Sequence, residues 1–390
     1  MTPAARTEAA IELLDAIVDA AREGGAAADT LVARYFATRR YAGSKDRRAV
    51  RELVYAAIRR AGDIPPSGRA AILLLADEDP AIAATFDGSA HGPAPIGPGE
   101  KRAATGIAPA WLVDALAASG LTPASMAALV SRAPLDLRIN TLKGSPEIAD
   151  AEPLPHMPGG LRLPSGTVVE QLPAFREGAV EVQDEGSQIV GLALPVEPGQ
   201  RVVDLCAGAG GKTLALAARM ANDGALLACD TDRGRLSRLP PRAERAGVSI
   251  VETRLLDPGH EADALVGWRA TADGVLVDAP CSGTGTWRRN PEARWRLNPK
   301  RLARLVETQA HVLAVAAPLV RPGGSLVYVV CSLLDDEGTG QVARFLSAHS
   351  GWRADTPTLP AGRPHGAGVR LDPASDGTDG FFVARLIAPC

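Results

Sequence analysis

No stretch of this sequence stays apolar for the roughly 18 residues that a membrane-spanning helix needs, so a transmembrane anchor is excluded. The opening MTPAARTEAAIELLDAIVDAA carries acids every few residues and lacks the charged-then-apolar plan of a secretory signal. No C-x-x-C pair occurs. The five cysteines, Cys206, Cys229, Cys281, Cys331 and Cys390, stand apart and are odd in number. A disulfide framework and a metal site are therefore not expected, and a reducing cytoplasm is the expected compartment. An excess of positive charge is also lacking: 42 Lys and Arg against 45 Asp and Glu leave a net −3. A nucleic-acid partner would have to be held by local basic patches rather than by a global field. What is present is 46% hydrophobic residues over 390 positions, enough for two or three domains with cores of their own.

The first sixty residues show no strand-like alternation. Apolar residues recur at helical spacing through Ile11, Leu14, Ile17 and Val18, then Leu31, Tyr35 and Phe36, then Val50, Leu53, Val54 and Ile58. An all-helical domain is expected over residues 1–87, followed by a linker and connecting helices over 88–132 that open with the Gly/Pro-rich GSAHGPAPIGPGE. The alternation in PLDLRINTLKG opens a small α+β subdomain over 133–195. From 196 to 390, apolar runs at Val202–Leu205, Ala225–Cys229, Ile250–Thr253, Val275–Val277 and Leu326–Val330 alternate with helical stretches. That pattern predicts an α/β, doubly wound parallel sheet with helices on both faces. FFVARLI near the C-terminus would add an antiparallel strand at or near an edge.

The first of these strands runs into VDLCAGAGGKT, a glycine-rich turn opening a helix, where folds of this kind seat a ligand. A Walker A loop fails by one residue, since Cys206 stands where its first glycine belongs. A dinucleotide fingerprint fails as well, because Gly208-x-Gly210 is followed by Thr213 in place of a third glycine. A nucleoside without phosphates remains, namely S-adenosylmethionine. Asp230 closes the second strand where a ribose would be held, Asp257 follows the third near the adenine edge, and Asp278 ends the fourth near the methionine part.

Cys281, in VDAPCSGTGT, and Cys331, in VVCSLLDDE, each follow a strand and would emerge on the ligand side. Carbon-5 of cytosine is too weak a nucleophile to take a sulfonium methyl group unaided. A thiolate added at carbon-6 activates it, an acid near ring nitrogen-3 (Asp278 is the candidate) stabilises the adduct, and a second cysteine can assist release. Cys206 and Cys229, among apolar neighbours, read as packing residues.

VDLCAGAGGKT, LLACDTDRGRL, VLVDAPCSGTGTWRRNPEARWR, RPGGSLVYVVCSL and DGFFVARL, in this order, resemble the signatures of RsmB-like (Fmu/Sun, Nop-type) RNA 5-methylcytosine methyltransferases. The resemblance runs from about Pro134 to the C-terminus. It implies a Rossmann-like class I methyltransferase sheet and an S-adenosylmethionine site at Cys206, Ala207, Gly208, Ala209, Gly210, Gly211, Lys212, Asp230, Asp257 and Asp278. It implies further that Cys331 is the nucleophile and that Cys281 helps release the product. Ala209 departs from the family's usual proline, and Pro240 and Pro241 fall where an asparagine is common and a helix would break. YAGSKDRRAVRELVYAAIRR is similar to part of a NusB-like RNA-binding domain. The substrate implied is RNA, 16S ribosomal RNA in the first place. Transfer RNA is the alternative, or a non-catalytic assembly factor that kept the fold.

Trp287, Arg288, Arg289, Arg294, Trp295, Arg296, Lys300, Arg301 and Arg304 form a basic run interleaved with aromatics, and are expected to hold RNA beside Cys281. Arg39, Arg40, Lys45, Arg47, Arg48 and Arg51 form a second cluster in the helical domain. No long heptad pattern calls for a dimer, and a monomer is expected.

Overall fold

In the computed structural model, which describes residues 1–390, the chain forms two compact units. One is Met1–Arg132 with Thr286–Asn298, and the other is Ala133–Gly285 with Pro299–Cys390. These limits differ from those expected: 88–132 cluster with the N-terminal helices, the small α+β part clusters with the large sheet, and 286–298 leave it.

The first unit is helical, with α1 (Pro3–Glu23), α2 (Ala28–Thr38), α3 (Ser44–Arg60) and α4 (Gly68–Glu78) as its main members. The Thr2 hydroxyl accepts from the Ala5 amide at the start of α1, and Gly24 ends that helix in the left-handed conformation at φ 76°. The expected stripe of Ile11, Leu14, Ile17 and Val18 is buried against Val50, Val54 and Ile58 of α3 and against α4. Gly68 opens α4 against α1, where a Cβ would stand 2.3 Å from the Ile11 carbonyl oxygen.

The segment Thr286–Asn298 serves the helix ends of this unit. The Glu292 carboxylate accepts from the Ala28 amide at 3.0 Å, at the start of α2. Arg294 donates to the carbonyls of Ile58 and Ala61 at 2.6 and 2.8 Å, around the end of α3. Arg296 donates to Ala20, Gly25 and Ala26 at 3.2, 2.8 and 2.7 Å, around the end of α1. The last carbonyls of a helix have no partner within it and carry the negative end of its dipole, so cations belong there and an acid belongs at the opposite end.

This overturns the RNA-binding expectation for most of the run. Arg294 is fully buried, burial pulls its pKa down to about 9, and Arg288 is buried too. Arg296, half-buried, is occupied by carbonyls, and Arg289 is half-buried. Trp287 and Trp295 are core residues rather than stacking platforms. In the other cluster Arg39 stacks on Tyr35 and pairs with Glu12, while Arg47 donates to the Ala42 carbonyl. Arg40, Lys45, Arg48 and Arg51 are exposed.

The second unit holds a four-stranded antiparallel sheet and a large mixed one. The small sheet is built from β1 (Leu135–Ile139), β2 (Glu152–Pro153), β3 (Gly160–Leu163) and β4 (Val180–Val182), in the order β2-β3-β1-β4. The large sheet uses β5 (Arg201–Asp204), β6 (Ala225–Asp230), β7 (Val251–Leu255), β8 (Ala272–Asp278), β9 (Val320–Val330), β10 (Arg353–Ala354), β11 (Arg363–His365), β12 (Gly368–Leu371) and β13 (Phe381–Ile387). Its order is β11-β12-β13-β9-β8-β5-β6-β7, with β10 also paired to β13. β5 to β9 are parallel, and β13 runs antiparallel to β9 as expected. β13 lies inside the sheet, however, because β12 and β11 extend beyond it. These two short strands were not foreseen.

Alternation along the strands builds two cores. Val202, Leu226, Leu276, Val327 and Val329 pack on one face with Leu214, Ala217 and Leu239. Val203, Leu227, Val275, Val277 and Tyr328 pack on the other with Leu313, Val342 and Phe345. The helix expected to break at the double proline does so: Arg233–Leu236 ends, and Leu239–Ala246 begins with both prolines in its first turn, where a missing N–H costs nothing.

Two measurements test this description. Arg294→Ala leaves the α3 carbonyls unpaired in the interior, and should cost the helical unit about 3 kcal/mol or more in urea unfolding. Arg48→Ala, on the surface, should stay within about 0.5 kcal/mol of wild type. Asp204 ends β5 fully buried; burial raises its pKa to about 7, against the hydrogen bond it accepts from Thr213 at 2.7 Å. A folded-state value above the unfolded value of about 3.9 gives stability that is complete below pH 4 and is lost as the pH rises toward 7. Wild-type stability should thus fall by about 3 kcal/mol between pH 5 and pH 8, and Asp204→Asn should flatten that fall.

Candidate catalytic site

Ligands of open α/β sheets bind outside the carboxyl ends of the parallel strands. Here that edge opens into a cavity of about 840 Å³, within the usual range for small-molecule sites. Three of its walls come from strand ends: Leu205 and Cys206 after β5, Asp230 to Asp232 after β6, and Asp278 to Cys281 after β8. Cys331, after β9, lines it as well.

The glycine-rich turn lies where β5 passes into helix Gly211–Arg219. Gly208 and Gly210 adopt φ of 55° and 87°, and a Cβ on Gly210 would stand 2.6 Å from Leu239. Asp230 is buried and fastens the turn, accepting from the Gly208 amide at 2.7 Å and from the Asp232 amide at 2.8 Å. Of the turn itself only Cys206 lines the cavity; Ala207 is buried, and Ala209, at the family's proline position, gives its carbonyl to Arg242 at 2.5 Å. Gly211 opens the helix, and a Cβ on it would meet nothing within 4 Å.

Asp257 is not placed as expected. It is exposed, and its neighbours Leu256 and Pro258 line the cavity in its stead. The facing wall is helix Pro299–Ala316, which presents Leu305, Thr308, Val312 and Val315 at helical spacing. His311 Nε2 lies 2.9 Å from the Glu261 carboxylate at the same wall. The spacing was present in the sequence, but nothing there said which way the face turned. Arg301 lines the cavity as well, while Lys300 and Arg304 are exposed beside it.

At the other end of the cavity the Cys281 and Cys331 sulfurs lie 3.4 Å apart. The hydrogen bond between the two sulfurs and burial together hold the Cys281 pKa well above that of an ordinary thiol. Lys212 Nζ is 2.7 Å from Asp278. Burial opposes its charge, but the Asp278 carboxylate outweighs burial, with a smaller contribution from Cys331, and the ammonium is held above the usual lysine range. In this pair Lys212 donates and Asp278, the acid candidate of the sequence, accepts.

Cys206 and Cys229 are inert by contrast. Burial pushes the Cys206 thiol far up and Cys229 to about 12. Cys390 is exposed at the C-terminus. Among groups of histidine, cysteine, aspartate and glutamate, none of three or more is arranged to hold a metal ion, and no helix is long and apolar enough to cross a membrane.

Sequence reasoning missed one group altogether. Glu337, fully buried behind the two cysteines, accepts from the Ser282 amide at 2.8 Å, from the Ser282 hydroxyl, from the Ser332 hydroxyl at 2.5 Å and from Gln309 at 2.9 Å. Its place in the acidic LLDDEGTG gave no local sign of this.

Comparison with known proteins bears directly on this geometry. The probable ribosomal RNA small subunit methyltransferase B of Synechocystis sp. is 37% identical over 270 residues, 65% of this chain. The matched stretch spans 59% of that relative's own length. Among solved structures, PH0851 overlays with a TM-score of 0.77 at 24% identity, covering 97% of this chain and 98% of the other. NSun6 from Pyrococcus horikoshii, solved with SFG, gives 0.60 at 21% identity over 68% of this chain and 93% of its own. At these identities both establish the shared fold alone, a Rossmann-like class I methyltransferase sheet. The profile of the 16S rRNA methyltransferase RsmB/F family matches residues 191–387, just over half of the chain and all of the cavity's strand ends, and the chain belongs to that family.

Proposed function

We propose that this protein methylates carbon-5 of a cytosine in small-subunit ribosomal RNA, with S-adenosylmethionine as methyl donor. The observation that carries the reading is the pair of sulfurs 3.4 Å apart on the wall of the cavity that Asp230 and the glycine-rich turn also border. The donor set fits a nucleoside. Asp230 offers the ribose its free lone pairs, Leu256, Pro258, Val312 and Val315 form an apolar slot for adenine, and the positive-φ glycines keep the turn low beneath it. When bound, the donor supplies an electrophilic sulfonium methyl group.

The chain's own residues supply the rest. Cys331, beside the Lys212 ammonium, attacks carbon-6 of the cytosine ring and forms a sulfur–carbon bond, and the displaced electron pair makes carbon-5 nucleophilic. Asp278 accepts from the exocyclic amino group of cytosine, a group that uracil lacks. Lys212, the donor of the pair, delivers a hydrogen bond to the ring as negative charge builds there. Once methylated, carbon-5 loses its proton to water, and the electron pair of that bond re-forms the ring double bond. Cys331 is expelled as a thiolate that takes the proton of Cys281, which solvent then restores. RNA phosphates are held by Arg40, Lys45, Arg48 and Arg51 of the helical unit, which resembles a NusB-like domain, and by Lys300, Arg301 and Arg304 near the cavity. The target base has to be unpaired or flipped to reach the sulfurs.

The test separates the two cysteines. Incubated with 16S RNA and donor, Cys331→Ala should give no methylation and no covalent RNA complex on denaturing gels. Cys281→Ala should accumulate a covalent RNA complex and turn over at least about a hundredfold more slowly. Multiple turnover by Cys331→Ala would end the proposal, as would a failure of the wild-type protein to bind S-adenosylmethionine in calorimetry.

A further inference from the structure

The two cysteines sit on separate loops 50 residues apart in sequence, one after β8 and one after β9. Beyond the strand ends the loops meet directly, Gly285 donating to the Cys331 carbonyl at 3.0 Å and Leu333 to the Thr284 hydroxyl at 2.9 Å. Next to the sulfurs themselves Glu337 adds a shared anchor: the residue after each cysteine, Ser282 in one loop and Ser332 in the other, donates to its single buried carboxylate. The two hydroxyls are also 3.1 Å apart. Gln309 completes the group, donating to Glu337 at 2.9 Å and to the Pro280 carbonyl at 3.0 Å, so Cys281 is tied on both sides. Gln341 donates to the Gln309 side-chain oxygen at 3.2 Å, and the Tyr328 hydroxyl to the Glu337 carbonyl at 2.7 Å, fixing the carboxylate from behind.

No arginine or lysine reaches this carboxylate in the hydrogen bonds it makes; its partners are an amide, two hydroxyls and a carboxamide. A carboxylate is acceptor-only and has room for about four donors. Glutamine in its place would turn an N–H₂ toward groups that are themselves donating, so the site selects the acid for its acceptor capacity. We propose that Glu337 is a positioning residue which sets the separation and orientation of the Cys281 and Cys331 sulfurs by holding both cysteine loops on one buried carboxylate. Its part in the reaction rests on the roles proposed above for the two cysteines; its control of the sulfur separation does not. Displacing a reacting group by 1 Å costs on the order of a hundredfold in rate, so such a clamp acts on turnover more than on substrate binding.

The test reads the sulfurs directly in the full-length protein. Phenylarsine oxide exchanges its As–O bond for two As–S bonds with a close pair of thiols and releases one water, with no change of oxidation state. Wild type should bind one arsenical, and Cys331→Ala none. Glu337→Gln, though less stable, should fold and keep its affinity for S-adenosylmethionine, yet bind the arsenical roughly tenfold more weakly and methylate 16S RNA about a hundredfold more slowly, with KM for RNA within about threefold. A folded Glu337→Gln protein that chelates like wild type overturns the proposal, and so does weakened chelation with full methylation. Should the glutamine variant fail to fold, Ser332→Ala, which removes one donor, decides by the same two readouts. A wild-type protein that chelates the arsenical but never methylates RNA defeats the proposed function and leaves the sulfur comparison decisive on its own.

Discussion

Two strands paired in parallel must end on the same edge of their sheet, and on this constraint the rest of the site depends. β8 and β9 are in register with Asp278 opposite Val329, so the loop of Cys281 and the loop of Cys331 leave the sheet side by side. β5 and β6 run the same way, so the glycine-rich turn and Asp230 reach that edge as well. A nucleoside site and a pair of thiols thereby come to border one cavity without any long-range device. Close backbone packing then tightens the arrangement. Gly285 donates to the Cys331 carbonyl at 3.0 Å, and a Cβ on it would stand 2.0 Å from the Gly380 carbonyl oxygen. The conformational freedom of glycine is not what matters there; the missing side chain is.

Within that frame the charges sort by what surrounds them. Lys212 and Asp278 form a pair 2.7 Å apart, in which the buried ammonium stands behind an Asp278 that lines the cavity. Glu337 is buried behind them and satisfied by neutral donors. Arg294 is buried among helix carbonyls in the other unit. A buried charge persists only when its hydrogen-bonding capacity is filled, and in the last two cases dipoles do the filling rather than counter-ions. Such groups hold structure together. The first pair is open on one side, through Asp278.

The same distinction explains what was legible in the sequence. Val202–Leu205, Ala225–Cys229 and Leu326–Val330 read as strands because both faces of a parallel sheet are covered and the apolar run is continuous. The cysteines and the glycine-rich turn read as a site because each sits just past such a run. β11 and β12 were missed since RPH and GVRL are too short to show a period. The TWRRNPEARWR run misled for a different reason. A basic stretch looks the same in sequence whether its partners are phosphates or carbonyls, and these carbonyls lie more than 230 residues away at the ends of α1 and α3. Glu337 was hidden likewise, one acid among three in LLDDEGTG, singled out only by what folds over it.

Taking arginines out of the run changes how an RNA substrate can be held. On the proposed reading, phosphate contacts fall to Arg40, Lys45, Arg48 and Arg51 in one unit and to Lys300, Arg301 and Arg304 in the other, all exposed on a chain whose net charge is −3. Such patches position an RNA backbone but read no sequence. Long-range attraction from a chain of this balance is weak and is screened within about 8 Å at physiological salt. On that same reading the choice of cytosine falls to short range, inside the cavity, where Asp278 would meet the exocyclic amine and the ring would present carbon-6 to Cys331. A rigid sulfur pair serves that choice better than a mobile one, because a base that docks a fraction of an ångström out of place finds no attacking group.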